Sequence, residues 1–66
     1  MKVSINGKPR TLAAGTSLAG LLQELKLEAA RVVVERNRGI VAREQFAAVA
    51  LVDGDVLEIV HFVGGG

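Results

Sequence analysis

The group in this chain best placed for chemistry is the carboxylate at its end. The sequence closes on Val63-Gly64-Gly65-Gly66, directly after an apolar segment that reads as a β-strand. Glycine carries no Cβ, so such a run enters passages too narrow for any other residue. Three extended residues reach roughly 10 Å past the last strand. A small folded body would thereby offer the Gly66 carboxylate, through Gly64 and Gly65, to another protein's active site. The bland alternative is a frayed end. An enzyme needs a base, a nucleophile or a metal in mutual reach, and the chain holds one histidine, His61, and no cysteine. His61 shares the parity of Leu57 and Ile59 and reads as a strand-end residue; tuning the tail or touching a partner is its sharper role. Asp55 and Glu58 are the neighbouring carboxylates, with nothing that pairs them as acid and base. Asp53-Gly54-Asp55 lacks the ligand series and terminal glutamate of a calcium loop. The chain therefore reads as a non-enzyme with no catalytic residue, no metal site and no cofactor. Absence of cysteine excludes disulfides and cysteine–zinc sites and fits a reducing cytoplasm.

The elements that must carry this tail follow from local pattern. Val3 and Ile5 alternate with Lys2, Ser4 and Asn6, the period of a half-buried strand. Asn6-Gly7 tolerates the positive φ angles of a two-residue hairpin turn. A second strand runs from Lys8 to Leu12, and Pro9 within it removes a ladder donor, which places it at a sheet edge. Thr16 or Ser17 can cap a helix. Leu18, Leu21, Leu22 and Leu25 fall at i, i+3, i+4 and i+7, one apolar stripe facing a core, with Gln23, Glu24 and Lys26 turned away. Gly20 weakens that helix by up to about 1 kcal/mol, and close packing on the sheet is the expected reason for it. Arg31 to Glu35 holds three consecutive valines, a strand signal. Asn37-Arg38-Gly39 is a turn, Ile40-Val41 a very short strand, and Arg43 to Phe46 a helical turn that docks Phe46. Asp53-Gly54-Asp55 turns into the last strand, Val56 to Val63, the most apolar and hence central. Hairpin, helix, strand, short elements and strand, with the last strand beside the first, make an α+β fold: a ubiquitin-like β-grasp over residues 1–63 with a glycine tail at 64–66.

Sixty-six residues make one domain, which buries only about 60% of the surface its unfolded chain exposes. A body this small has no room for an enclosed substrate cavity, so its chemistry belongs in a partner's pocket. Eight basic and seven acidic side chains are spread along the sequence, which leaves no nucleic-acid footprint. Arg36, Arg38 and Arg43, with Arg31 near them, read as a solvated loop surface, the alternative being a patch for an acidic partner. The run from Phe46 to Val52 falls far short of the ~20 residues of a membrane span. Met1-Lys2-Val3-Ser4-Ile5 reads as a strand, not as a secretory leader. Glu58 shares its face with Val56, Val60 and Phe62. A lone glutamate is rarely buried unpaired, so that face is expected in solvent, with Val60 and Phe62 as an apolar partner-binding patch beside the tail. The alternative folds Phe62 over the edge of the core.

The stretch Asn37 to Arg43 (Asn-Arg-Gly-Ile-Val-Ala-Arg), then Glu44-Gln45-Phe46, Asp53-Gly54-Asp55 and the Gly65-Gly66 end resembles the ThiS family, the sulfur carriers of thiazole biosynthesis for thiamine, over the whole chain. The Gly-Gly end alone is shared with ubiquitin-like modifiers and molybdopterin sulfur carriers. Family members often have proline where this chain has Ala42, and Gly64 is an added glycine; neither touches the terminal pair. The resemblance implies that a ThiF-like adenylating enzyme activates Gly66. Sulfur from a persulfide, supplied ultimately by a cysteine desulfurase, would convert it to a thiocarboxylate, and thiazole synthase would accept that sulfur. The other readings are a carrier for molybdopterin or another sulfur pathway, a modifier attached to a partner's lysine, and a ubiquitin-like interaction domain with an inert tail.

Overall fold

A computed structural model describes residues 1–62. The expected end of the last strand at Val63, the domain boundary at 63/64 and the three tail glycines lie outside the described residues. Five strands form one mixed sheet: β1 (Lys2–Ile5), β2 (Lys8–Thr11), β3 (Val32–Arg36), β4 (Gly39–Val41) and β5 (Val56–His61). Their order is β2-β1-β5-β3-β4. β1 and β5 run parallel, and the other neighbours are antiparallel. The most apolar strand is thus central and beside the first, and the proline-bearing strand is at an edge, as the sequence requires. Asn6 and Gly7 both take positive φ, 50° and 83°, the conformation of a tight hairpin turn. Leu12 continues the β1–β2 pairing beyond the strand by exchanging hydrogen bonds with Met1, each 2.8 Å.

The helix α1 (Leu18–Glu24) is set by its ends as much as by its stripe. Ser17 is the N-cap, and its hydroxyl accepts the Gly20 N–H at 3.0 Å. The other early donors of the helix, at Leu18 and Ala19, are taken by the Val49 and Phe46 carbonyls, each at 2.9 Å. The first three N–H groups of the helix are thus each satisfied within the protein. At the other end, the Lys26 N–H donates to Gln23 O and the Leu27 N–H to Leu22 O, with Lys26 at φ 59°. This is a Schellman termination with lysine in the place glycine usually holds. Gly20 corrects the expectation of close packing on the sheet: a Cβ there would meet the Ser17 hydroxyl at 3.3 Å and the Thr16 methyl at 3.7 Å, which are parts of the cap itself.

The core lies between α1 and the inner sheet face. Val3, Val32, Val34, Leu57 and Ile59 from the sheet meet Leu18, Leu21 and Leu22 of the helix, closed by Leu12, Phe46 and Leu51. The three valines of β3 resolve by register: Val32 and Val34 point in, Val33 out. Phe46 is docked by a 3-10 turn at Arg43–Gln45, as its sequence implied. Two strand bounds shift by a residue or two. Arg31 belongs to a 3-10 turn (Ala29–Arg31) ahead of β3, and β3 extends to Arg36 because the turn after it takes only Asn37 and Arg38, with Gly39 already paired to Arg36. Among the described residues no helix is long and apolar enough to cross a membrane.

Candidate functional site

β5 connects the core to the glycine tail, and both of its edges are held. On the β3 side five residue pairs run from Arg36–Leu57 to Val32–His61. The Phe62 N–H then donates to Arg31 O at 2.8 Å, so the body holds the backbone to the residue before Val63. On the β1 side the strand pairing covers only Ser4–Val56 and Ile5–Leu57. There the Asn6 side chain takes over: its Oδ1 accepts the Ile59 N–H at 2.7 Å, and its Nδ2 donates to Ile59 O at 3.0 Å. One amide thus supplies the ladder partner that β1 loses by turning away.

The start of β5 is fixed by Asp55, which the sequence presents as the last residue of an Asp-Gly-Asp turn. It is 3% exposed. Its Oδ2 accepts from the Val52 N–H at 2.9 Å and from Arg36 Nε at 3.0 Å, and its Oδ1 from Asn37 Nδ2 at 3.1 Å. Asn37 Oδ1 in turn accepts the Val56 N–H at 2.9 Å. Burial pushes the Asp55 carboxyl up, but the hydrogen bonds from Val52, Asn37 and Arg36 and the arginine charge outweigh it and hold the group below its ordinary value of 3.8. This corrects the reading of Arg36 as a loop arginine: it is a β3 residue bound to Asp55. Asp55 and Glu58 belong to opposite faces of the strand, so they form no acid–base pair. His61 is exposed where the inner face runs out.

The outer face of the sheet carries no helix among the described residues. Val60 is 54% and Phe62 58% exposed, so Phe62 does not close the core and both apolar side chains stand in solvent. The pairing extends this apolar surface. Val33 stands opposite Val60, and Ile40 lies on the same face beside Glu35. Ile40 is 74% exposed, and Val33 and Val56 are also exposed. Sequence reasoning missed Val33 and Ile40 because their facing depends on strand register. Gly64, Gly65 and Gly66 lie outside the described residues. Among those described, no group of histidine and carboxylate side chains could hold a metal ion.

A five-stranded mixed sheet crossed by one helix, with the tail following the central strand, defines a ubiquitin-like β-grasp domain. A profile of the ThiS family matches residues 3–66. The sulfur carrier protein ThiS of Bacillus subtilis is 45% identical over 65 residues, which cover 97% of this chain and 98% of that protein. The chain thus belongs to the ThiS family. The crystal structure of the thiamine biosynthesis protein ThiS from Geobacter metallireducens superposes with a TM-score of 0.84 at 40% identity, over the whole of both chains. A thiazole synthase of Magnetococcus marinus is 47% identical over all 66 residues, but the chain spans only 20% of that protein's length.

Proposed function

We propose that this chain is a sulfur carrier for the thiazole ring of thiamine and that Gly66 is the residue that carries the sulfur. The observation that bears most weight is the anchoring of β5: the central strand is hydrogen-bonded on both edges and leads through Phe62 to the glycines. A carboxylate is a poor electrophile because its oxygen does not leave. In this reading a ThiF-like enzyme joins the Gly66 carboxylate to the α-phosphate of ATP, and pyrophosphate departs. The acyl-adenylate now has AMP as leaving group. The outer sulfur of a persulfide, filled by a cysteine desulfurase, attacks the acyl carbon and displaces AMP. A thiol then attacks the resulting acyl disulfide at its far sulfur, so that a disulfide remains behind and the thiocarboxylate is released on Gly66. That sulfur is ionised and nucleophilic at neutral pH, and thiazole synthase takes it up. The folded body contributes position, not chemistry, with Val60 and Phe62 docking the partner and Gly64 and Gly65 threading its channel.

The absence of cysteine supports this reading, since no internal thiol competes for sulfur. So does the similarity of the chain to part of a thiazole synthase, which fits a working partnership between the two. A variant extended past Gly66 tests the assignment. It is expected to keep the melting curve of the parent and to lose ATP–pyrophosphate exchange with the adenylating enzyme. An extended chain that still exchanges would show that another group is activated.

A further inference from the structure

Glu35 and Glu58 are directly opposite each other across the β3–β5 ladder. Side chains at such a pair leave the sheet on one face roughly 5 Å apart at Cβ, and like charges placed there destabilise the pairing. Among the described residues, the ion pairs are Arg10–Glu24, Arg31–Glu28 and Arg36–Asp55, and none of them reaches either of these two carboxylates. Around the pair stand Val33, Val60, Val56 and Ile40, all on the outer face and all exposed. The face is therefore an aliphatic ring around two uncompensated negative charges.

This arrangement dictates the chemistry of whatever covers it. A partner that buries Val33, Val60 and Ile40 buries Glu35 and Glu58 with them. Two adjacent carboxylates taken out of water without a counter-charge would cost far more than the aliphatic contacts return. A cation seated between them reverses the sign, and the attraction grows as the surrounding ring excludes water. A guanidinium suits the site better than an ammonium, because its planar fork donates to two acceptors at once and sheds water more readily. We infer that the outer sheet face docks a partner surface that is apolar except for one arginine, whose guanidinium seats between Glu35 and Glu58. The inference rests on the carrier reading, in that the partner is the adenylating enzyme.

The test is titration of the adenylating enzyme with the parent chain, with a Glu35→Gln/Glu58→Gln double variant and with Glu58→Lys, at low and high ionic strength. The double variant is expected to bind roughly tenfold or more weakly at low salt and to lose most of the parent's salt dependence. Its own melting temperature is expected to match or exceed that of the parent, since a repulsion is removed. Glu58→Lys should weaken binding further, because it sets a cation against the partner's arginine. Unchanged or tighter binding by the double variant overturns the arginine contact; if Phe62→Ala still weakens the complex, the carrier reading survives alone. No binding by the parent overturns both.

Discussion

At the scale of single residues, Asp55 is the clearest case of a side chain whose job is hidden by its type. Asp-Gly-Asp reads as a turn, and its first aspartate accepts the Lys2 N–H at an exposed site. The second is buried and accepts from Val52, Arg36 and Asn37, partners that come together only when β3 and β5 are in register. Asp55→Asn removes the charge that pairs with Arg36 and turns one acceptor oxygen into an NH2 that faces a donor, and is expected to destabilise the fold by about 2 kcal/mol in denaturant titration. The pH dependence has a definite sign. Folding lowers the Asp55 pKa from 3.8, so the unfolded chain binds more protons through that range. This stabilisation is full at neutral pH and drains away as pH falls below about 4 toward the folded pKa. The Asn variant should show a flatter stability profile there. A profile as steep as the parent's would assign the acid sensitivity to other carboxylates. Phe62 has the opposite character. With 58% of its surface exposed, Phe62→Ala is expected to change stability by no more than about 0.5 kcal/mol while weakening the enzyme complex roughly tenfold. A collapsed melting temperature with unchanged affinity would return it to the core.

At the scale of elements, what the sequence shows is what local rules govern. The leucine stripe, the Asn6-Gly7 hairpin and the edge position of the Pro9 strand each depend on neighbours in the chain, and each stands as read. The end of α1 was not legible, because Lys26 occupies a position where glycine or asparagine normally marks the stop. Its positive φ of 59° is a strain that glycine would relieve. Lys26→Gly should therefore stabilise the protein by up to about 1 kcal/mol; a loss of stability would show that the lysine stem contributes more packing than its backbone costs. Facing was illegible for a different reason. Three valines in a row do not say which point inward, and the opposition of Glu35 to Glu58 requires a register between strands distant in sequence. Asn6 belongs to both groups: its turn is plain from Asn-Gly, its grip on Ile59 is not. Asn6→Gly tolerates the positive φ of the turn but strips Ile59 of two hydrogen bonds, an expected cost of about 1–2 kcal/mol with protection from hydrogen exchange lost first at Ile59.

At the scale of the whole molecule, the two faces of the sheet have different characters. One helix and a ring of short elements seal the inner sheet face, while the outer face keeps an aliphatic patch with two carboxylates in it. Between these faces runs β5, clamped at its start by Asp55 and Asn37 and along its edges by β3 and Asn6. A body built this way offers its sheet as a surface to grip, which suits the proposed carrier role. Membership of the ThiS family and the fold shared with a thiamine biosynthesis protein point the same way. The central claim is that sulfur is carried on Gly66. The direct measurement is the intact mass of the chain after incubation with a ThiF-like enzyme, ATP and a persulfide donor, with the added mass located by fragmentation and trapped by an alkylating reagent, since oxidation of Met1 adds nearly the same mass as exchange of oxygen for sulfur. The predicted result is an alkylatable sulfur on Gly66 that appears only with ATP present. An unchanged Gly66, with the enzyme shown to load another carrier in the same mixture, would contradict it.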